Sequence, residues 1–190
     1  MHQFRKLLTR EQIFTIPNFM SFFRLVLVPF IIWTYCRDAY DVTAGLVLLS
    51  GMTDILDGVI ARKFNMVSDL GKVLDPLCDK VTHAALLICL ATRYVYVWLV
   101  FGLLVVKEIT MSVLGAMTIQ RRAPIGGAKW YGKLCTVVLE TVMFLLILFP
   151  AIPERVAIWM LALCGVVMVF SLIMYVIFFV SLIRAKEDES

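Results

Sequence analysis

The chain is 190 residues long, 62% hydrophobic and only 17% charged, with a mean hydropathy of +0.92. A soluble domain is nearer half apolar and a quarter charged, so a soluble fold is excluded and one compact polytopic membrane domain, residues 1–190, is expected. The net charge of +4 is modest, no nucleic-acid partner is expected, and where the charges fall says more than their sum.

Residues 2–15 place His2, Arg5, Lys6, Arg10 and Glu11 among Phe4, Leu7, Leu8, Ile13 and Phe14. That pattern fits a short amphipathic helix lying on the membrane, with basic groups toward anionic headgroups, and equally fits a disordered basic tail. This mixed, charged stretch lacks the pattern of a cleavable signal. Pro17-Asn18 then punctuates the chain before a first apolar span, about residues 19–35. A turn at residues 37–41 leads to a second span, about 42–61. A polar connection, 62–72, leads to a third, about 73–91, with Pro76 near its start, where a missing N–H is tolerated or a bend results. The fourth span, about 97–119, carries Lys107 and Glu108 near mid-depth. The longest polar connection, 120–133, holds Arg121, Arg122, Pro124, Gly126, Gly127 and Lys129. A fifth span runs from about 134 to 149 and a sixth from about 156 to 183, ahead of a charged tail. Each is near the ~20 residues needed to cross a bilayer, so the expected fold is all-α with six transmembrane helices.

Six spans put both termini on one side. Thirteen lysines and arginines fall on that side, against Arg37, Arg93 and Arg155 on the other, so the basic side and both termini are expected to be cytoplasmic. The five cysteines are odd in number and scattered through apolar runs, which reads as small core residues and not as a disulfide or zinc framework. Gly45, Gly51, Gly102, Gly115 and Gly165 could let helices approach closely or mediate a homodimer.

Four carboxylates stand out. Asp54 and Asp57 are three residues apart and Asp75 and Asp79 four apart, so on helices each pair shares a face. A carboxylate in hydrocarbon costs at least ~2.5 kcal/mol, and four together repel unless something positive sits between them. The competing structural reading has lysine or arginine neutralise them for helix packing. It does not account for two helix-spaced pairs on a hairpin that would face itself. Carboxylate oxygens suit Mg²⁺ or Mn²⁺, and His83 is alone, with no His/Cys set for zinc. Gly58 would let a ligand approach the helix backbone, and Arg62, a turn beyond, could hold a phosphate. Metal ions and a phosphate grip at a membrane surface point to phosphoryl-transfer chemistry on a lipid.

The run Asp54-x2-Asp57-Gly58-x2-Ala61-Arg62-x8-Gly71-x3-Asp75-x3-Asp79 resembles the signature of the CDP-alcohol phosphatidyltransferases at every fixed position. The resemblance implies a six-helix membrane fold and two divalent ions, Mg²⁺ or Mn²⁺, held by Asp54, Asp57, Asp75 and Asp79. It further implies that Asp79 is the general base and that Gly58, Ala61 and Arg62, with Gly71 and Lys72, lie against the CDP moiety of CDP-diacylglycerol. The implied reaction displaces CMP from the CDP-lipid by an alcohol.

Ile16-Pro17-Asn18-x-Met20-Ser21-x2-Arg24-x4-Pro29 looks like the amino-terminal pattern of the bacterial phosphatidylglycerophosphate synthases within that family. It adds Asn18 and Ser21 to the CDP-lipid side and implies glycerol 3-phosphate as acceptor at a bacterial cytoplasmic membrane. Asp75-Pro-Leu-Cys78-Asp79-Lys80 is similar to their Asp-Pro-Leu-Ala-Asp-Lys. Lys107-Glu108 stands where they show Arg-Glu, and Gly132-Lys133-Leu-Cys135-Thr136 has cysteine for the second lysine of Gly-Lys-x-Lys-Thr. Lys107, Arg121, Arg122, Lys129 and Lys133 are the candidate holders of the acceptor phosphate, with Lys133 foremost, although positive-inside topology alone would also place basic residues there. Glu108 and Glu140 are expected to pair with Lys107, Arg24 or Lys133. Cardiolipin synthases share much of the pattern and use phosphatidylglycerol as the alcohol. Two readings from other classes compete: an intramembrane prenyltransferase, whose acidic motifs lack the Gly58/Ala61-Arg62 register, and a divalent-cation transporter, which would place its acids near mid-bilayer.

Overall fold

A computed structural model describes residues 16–63, 71–120 and 129–187. The amino-terminal stretch expected as a surface helix, and Arg121 and Arg122, lie outside these residues. Among the described residues there are six helices and no strand. They are α1 (Ile16–Cys36), α2 (Tyr40–Lys63), α3 (Gly71–Ala91), α4 (Val97–Gln120), α5 (Trp130–Leu148) and α6 (Glu154–Glu187). The all-α expectation and the order of six long helices hold.

Four of the six, α1, α4, α5 and α6, are long and apolar enough to cross a membrane. At 24 and 21 residues α2 and α3 have comparable length, but they carry the aspartates and their flanking polar residues. Large apolar side chains face outward, as in Leu99 (70% exposed) and Trp159 (77% exposed). Such a surface is stable in lipid, not water.

The chain divides into two compact units, one of residues 16–63, 71–90 and 144–150, the other of 91–120, 129–143 and 151–187. In the first, α1 packs along α2 as a hairpin. Its tight turn ends α1 with two reversed bonds, Asp38 N–H to the Tyr35 carbonyl (3.0 Å) and Ala39 N–H to the Thr34 carbonyl (3.1 Å). These are the bonds of a helix stop with a left-handed residue, and Asp38 supplies it at φ 56°. Aspartate tolerates that conformation better than most side chains. The buried hydroxyls of Thr43 and Thr34 (2.9 Å) join the two helices beside the turn.

In the second unit α4 packs against α6. Helix α5 begins at Trp130, four residues ahead of the expected span, so Lys133 sits in its first turn and not in the polar connection. The cause is tertiary: Tyr131 meets the Tyr175 ring of α6 edge-on, with centroids 4.6 Å apart, and the Tyr175 hydroxyl is hydrogen-bonded to the Lys129 backbone. That hydroxyl occupies the space a β-carbon on residue 132 would need, which only glycine leaves open. Helix α6 runs on to Glu187, past the expected end of the span, because Arg184-Ala185-Lys186-Glu187 are all good helix formers with no proline or glycine to stop them. Pro76 is accommodated inside α3, which starts at Gly71.

None of the five cysteines is in a disulfide and all but Cys36 are buried, as small core residues should be. The glycines correct one expectation. Gly45, Gly51, Gly102 and Gly115 have nothing within 4 Å of where a β-carbon would lie, so they mediate no close packing between the described helices. Of the five, Gly165 meets a neighbour, Leu103 at 3.8 Å.

Candidate active site

The carboxylate cluster lies in the first unit, where three helices contribute to it. Asp54 is on α2 and Asp75 and Asp79 are on α3, each 39–43% exposed at its side chain. They converge on Arg24 of α1, whose side chain is only 3% exposed. A single nitrogen of its guanidinium, Nη1, binds Asp54 on one helix and donates to Asp79 Oδ1 on the other at 2.5 Å. Nη2 stands 4.0 Å from Asp75 Oδ1. The Ser21 hydroxyl, one turn earlier on α1, donates to Asp75 Oδ1. Cys78, fully buried, lies between the two aspartates of α3 and donates its thiol to the Ser21 carbonyl at 3.3 Å. A small residue at 78 is therefore what lets α3 lie close against α1.

The helical rise locates this site along the hairpin. Arg24 is twelve residues before the end of α1 and Asp54 fourteen after the start of α2, about 18–21 Å from the tight turn at 1.5 Å per residue. The acids thus lie on the half of the hairpin away from that turn. Asp75 and Asp79 agree, lying four and eight residues into α3, about 6–12 Å from its start.

Electrostatics explain the gathering. Among the described side chains, three carboxylates against one guanidinium leave two negative charges. A guanidinium keeps its charge at any ordinary pH and presents five donors in a fixed fork, so it can bridge carboxylates on different helices. Among the described residues no three His, Cys, Asp or Glu side chains enclose a metal-sized point on their own, and the guanidinium stands among the three aspartates. The donors are nonetheless hard carboxylate oxygens, and their residual charge matches one divalent cation. Asp54, Asp75 and Asp79 could hold such an ion beside Arg24.

Asn18 and Ser21 are both fully buried, and Ser21 is tied directly to the cluster. Asp57, Gly58, Ala61 and Arg62 lie on α2, and Gly71 and Lys72 open α3; their side chains lie outside what the structure describes. Arg24 is a functional residue whose place in the cluster sequence reasoning missed. It is expected among the possible partners of Glu108 and Glu140, and the structure shows it bound to the aspartates. The signal was present, because an arginine inside an apolar span three residues after Ser21 requires a buried anionic partner.

Of the expected acceptor-side cations, Lys107, Lys129 and Lys133 are described and belong to the second unit. Lys107 is nearly buried, 11% exposed, with its ammonium 3.6 Å from Glu108, the pairing expected. Both act electrostatically on Cys135, which lies beside Ser171 in the buried interior. Lys129 lays its ammonium on the face of Phe178, 4.2 Å from the ring centroid. Lys133 is exposed on the first turn of α5.

The sequence profile of the CDP-alcohol phosphatidyltransferases matches residues 14–182, nearly the whole chain and all six helices. The chain belongs to the CDP-alcohol phosphatidyltransferase family. It is 49% identical over 84 residues to a cardiolipin synthase (CMP-forming)/mitochondrial hydrolase fusion protein of Schizosaccharomyces pombe, covering 44% of this chain and 14% of that one. It is 36% identical over 114 residues to a cardiolipin synthase (CMP-forming) of Streptomyces coelicolor, covering 56% and 53%. It is 37% identical over 114 residues to a CDP-diacylglycerol–glycerol-3-phosphate 3-phosphatidyltransferase of Aquifex aeolicus, covering 56% and 61%. The matched stretch thus spans between 14% and 61% of these relatives' own lengths. Relatives named as cardiolipin synthases and as glycerol-3-phosphate 3-phosphatidyltransferases both occur among those it resembles.

Proposed function

We propose that this phosphatidyltransferase transfers the phosphatidyl group of CDP-diacylglycerol to glycerol 3-phosphate, giving phosphatidylglycerophosphate and CMP. The observation that carries the reading is the convergence of Asp54, Asp75 and Asp79 from two helices on one buried cationic centre, within the family's full signature. Asp54, Asp57, Asp75 and Asp79 would hold Mg²⁺ or Mn²⁺, two ions in all, and the chemistry such ions would supply is charge neutralisation at the pyrophosphate. Ser21 and Arg24 hold the carboxylates of α3 in place, so the site is pre-shaped before substrate arrives. Asp79, 43% exposed, is open enough to reach an acceptor hydroxyl and take its proton during attack on the phosphorus. Gly58, Ala61, Arg62, Gly71 and Lys72, with Asn18, would line the CDP-lipid. Lys107, Arg121, Arg122, Lys129 and Lys133 supply positive charge for the acceptor phosphate. The positive-inside count supports a cytoplasmic position for both termini and for this site.

A second reading, cardiolipin synthesis with phosphatidylglycerol as acceptor, is favoured by one observation. At the position of a family lysine, Cys135 is buried and lies beside Ser171, with no positive charge of its own. A phosphodiester acceptor carries less charge than a phosphate monoester and needs fewer cations. The two readings separate in one experiment. Purified protein with CDP-diacylglycerol is given glycerol 3-phosphate, phosphatidylglycerol, inositol phosphate or serine separately, and CMP release is measured. Release with glycerol 3-phosphate alone is expected, and release only with phosphatidylglycerol would replace the first reading by the second.

A further inference from the structure

One guanidinium nitrogen of Arg24 bridges Asp54 of α2 and Asp79 of α3, the place a shared cation would take. The arginine is almost wholly buried while each aspartate remains two-fifths exposed. The fixed charge therefore lies on the protein side of the cluster and the carboxylates open outward. We propose that Arg24 is a built-in counter-cation that holds the aspartates together in the metal-free protein and shares them with a divalent ion when one binds, thereby setting the affinity for that ion. The inference rests on the reading of the cluster as a metal site.

The physical argument has two parts. Without a cation, gathering Asp54, Asp75 and Asp79 around one point is strongly unfavourable in a low-dielectric setting, and here all three surround a single guanidinium. Arg24 supplies that cation permanently, so the α1–α2–α3 arrangement does not wait for metal. Once metal arrives, the same positive charge opposes it. A cluster with residual charge of two binds a divalent ion less tightly than one with charge of three, so Arg24 weakens binding in return for a site that persists between turnovers. An arginine that were only a packing tie would leave metal affinity unchanged or raise it by holding the ligands in order.

The test uses the full-length protein in detergent, with Mn²⁺ as probe and no substrate. Mn²⁺ binding is measured by calorimetry and by the loss of the free-ion paramagnetic resonance signal, and thermal unfolding is followed in EDTA and in saturating Mn²⁺. Arg24→Gln should bind Mn²⁺ roughly ten-fold more tightly than wild type, the order expected for removing one charge at this range. Its unfolding temperature should fall in EDTA and recover most of the loss in Mn²⁺. Arg24→Lys keeps the charge and so keeps the cluster assembled even if Arg24→Gln does not fold. It should bind Mn²⁺ with an affinity nearer wild type than Arg24→Gln does, because the positive charge that opposes the ion is kept. Equal or weaker Mn²⁺ binding by a folded Arg24→Gln, or loss of binding in Arg24→Lys, overturns the counter-cation role while wild-type binding keeps the metal reading intact. No Mn²⁺ binding by wild type and Arg24→Gln alike overturns both.

Discussion

Replacing Asp79 by asparagine separates the fold from the chemistry at this site. The substitution keeps size and keeps an oxygen to accept from Arg24 Nη1, now 2.5 Å from Asp79 Oδ1. What disappears is one charge. The amide oxygen still accepts from the charged guanidinium, so what the Arg24 tie loses is the ion-pair part, about 0.2–1 kcal/mol for a partly exposed pair. Asp54 still binds the same nitrogen, and Ser21 still holds Asp75 while Cys78 still reaches the Ser21 carbonyl. The α1–α3 contact therefore survives and the protein should fold. Loss of the general base should lower turnover by about 10²–10⁴-fold, measured as CMP release at saturating CDP-diacylglycerol and acceptor. Binding of CDP-diacylglycerol should change little, because most of the negative charge for metal remains. Turnover close to wild type in Asp79→Asn would refute the assignment of Asp79 as the base.

Chelation should abolish activity and added Mg²⁺ or Mn²⁺ should restore it; full CMP release in excess EDTA would sink the metal reading. Cys78→Ala should be mild, since the family's usual residue here is also small. Cys78→Leu overpacks the α1–α3 contact and should cost about 1–3 kcal/mol and reduce turnover through displaced Asp75 and Asp79. Equal unfolding temperatures for the two Cys78 variants would contradict the tight contact. Gly132→Ala forces a β-carbon into the Tyr175 hydroxyl. We expect a lowered unfolding temperature that a second change, Tyr175→Phe, partly rescues by removing the colliding oxygen; an unperturbed Gly132→Ala protein would mean that α5 does not begin against α6 as described.

Local pattern carried far here because the relevant periods are local. Apolar runs near the bilayer thickness mark six helices whose order the structure repeats, and spacings of three and four put the aspartates of each pair on one helix face. The ends of helices were less legible. Helix α5 starts at Trp130 because Tyr175, forty-five residues later, meets Tyr131 edge-on and closes over Gly132. No composition of residues 120–133 contains that information. Likewise the lack of disulfides followed from the apolar settings of the cysteines, whereas the open surroundings of Gly45, Gly51, Gly102 and Gly115 depended on which helix passes where.

The carboxylate cluster shows the same division most plainly. By itself the sequence determined that four acids sit on facing helices of a membrane chain, that they need positive charge, and that they match a nucleotide-lipid transferase signature. Only the tertiary structure decided that the charge is supplied from inside, by Arg24 on α1, fifty-five residues away from Asp79, with Ser21 fifty-four residues from Asp75 as its companion. The reason is range. Helical periodicity relates residues within a turn or two, while a buried arginine finds its partners across helix interfaces, where packing and charge balance choose among every acid its side chain can reach.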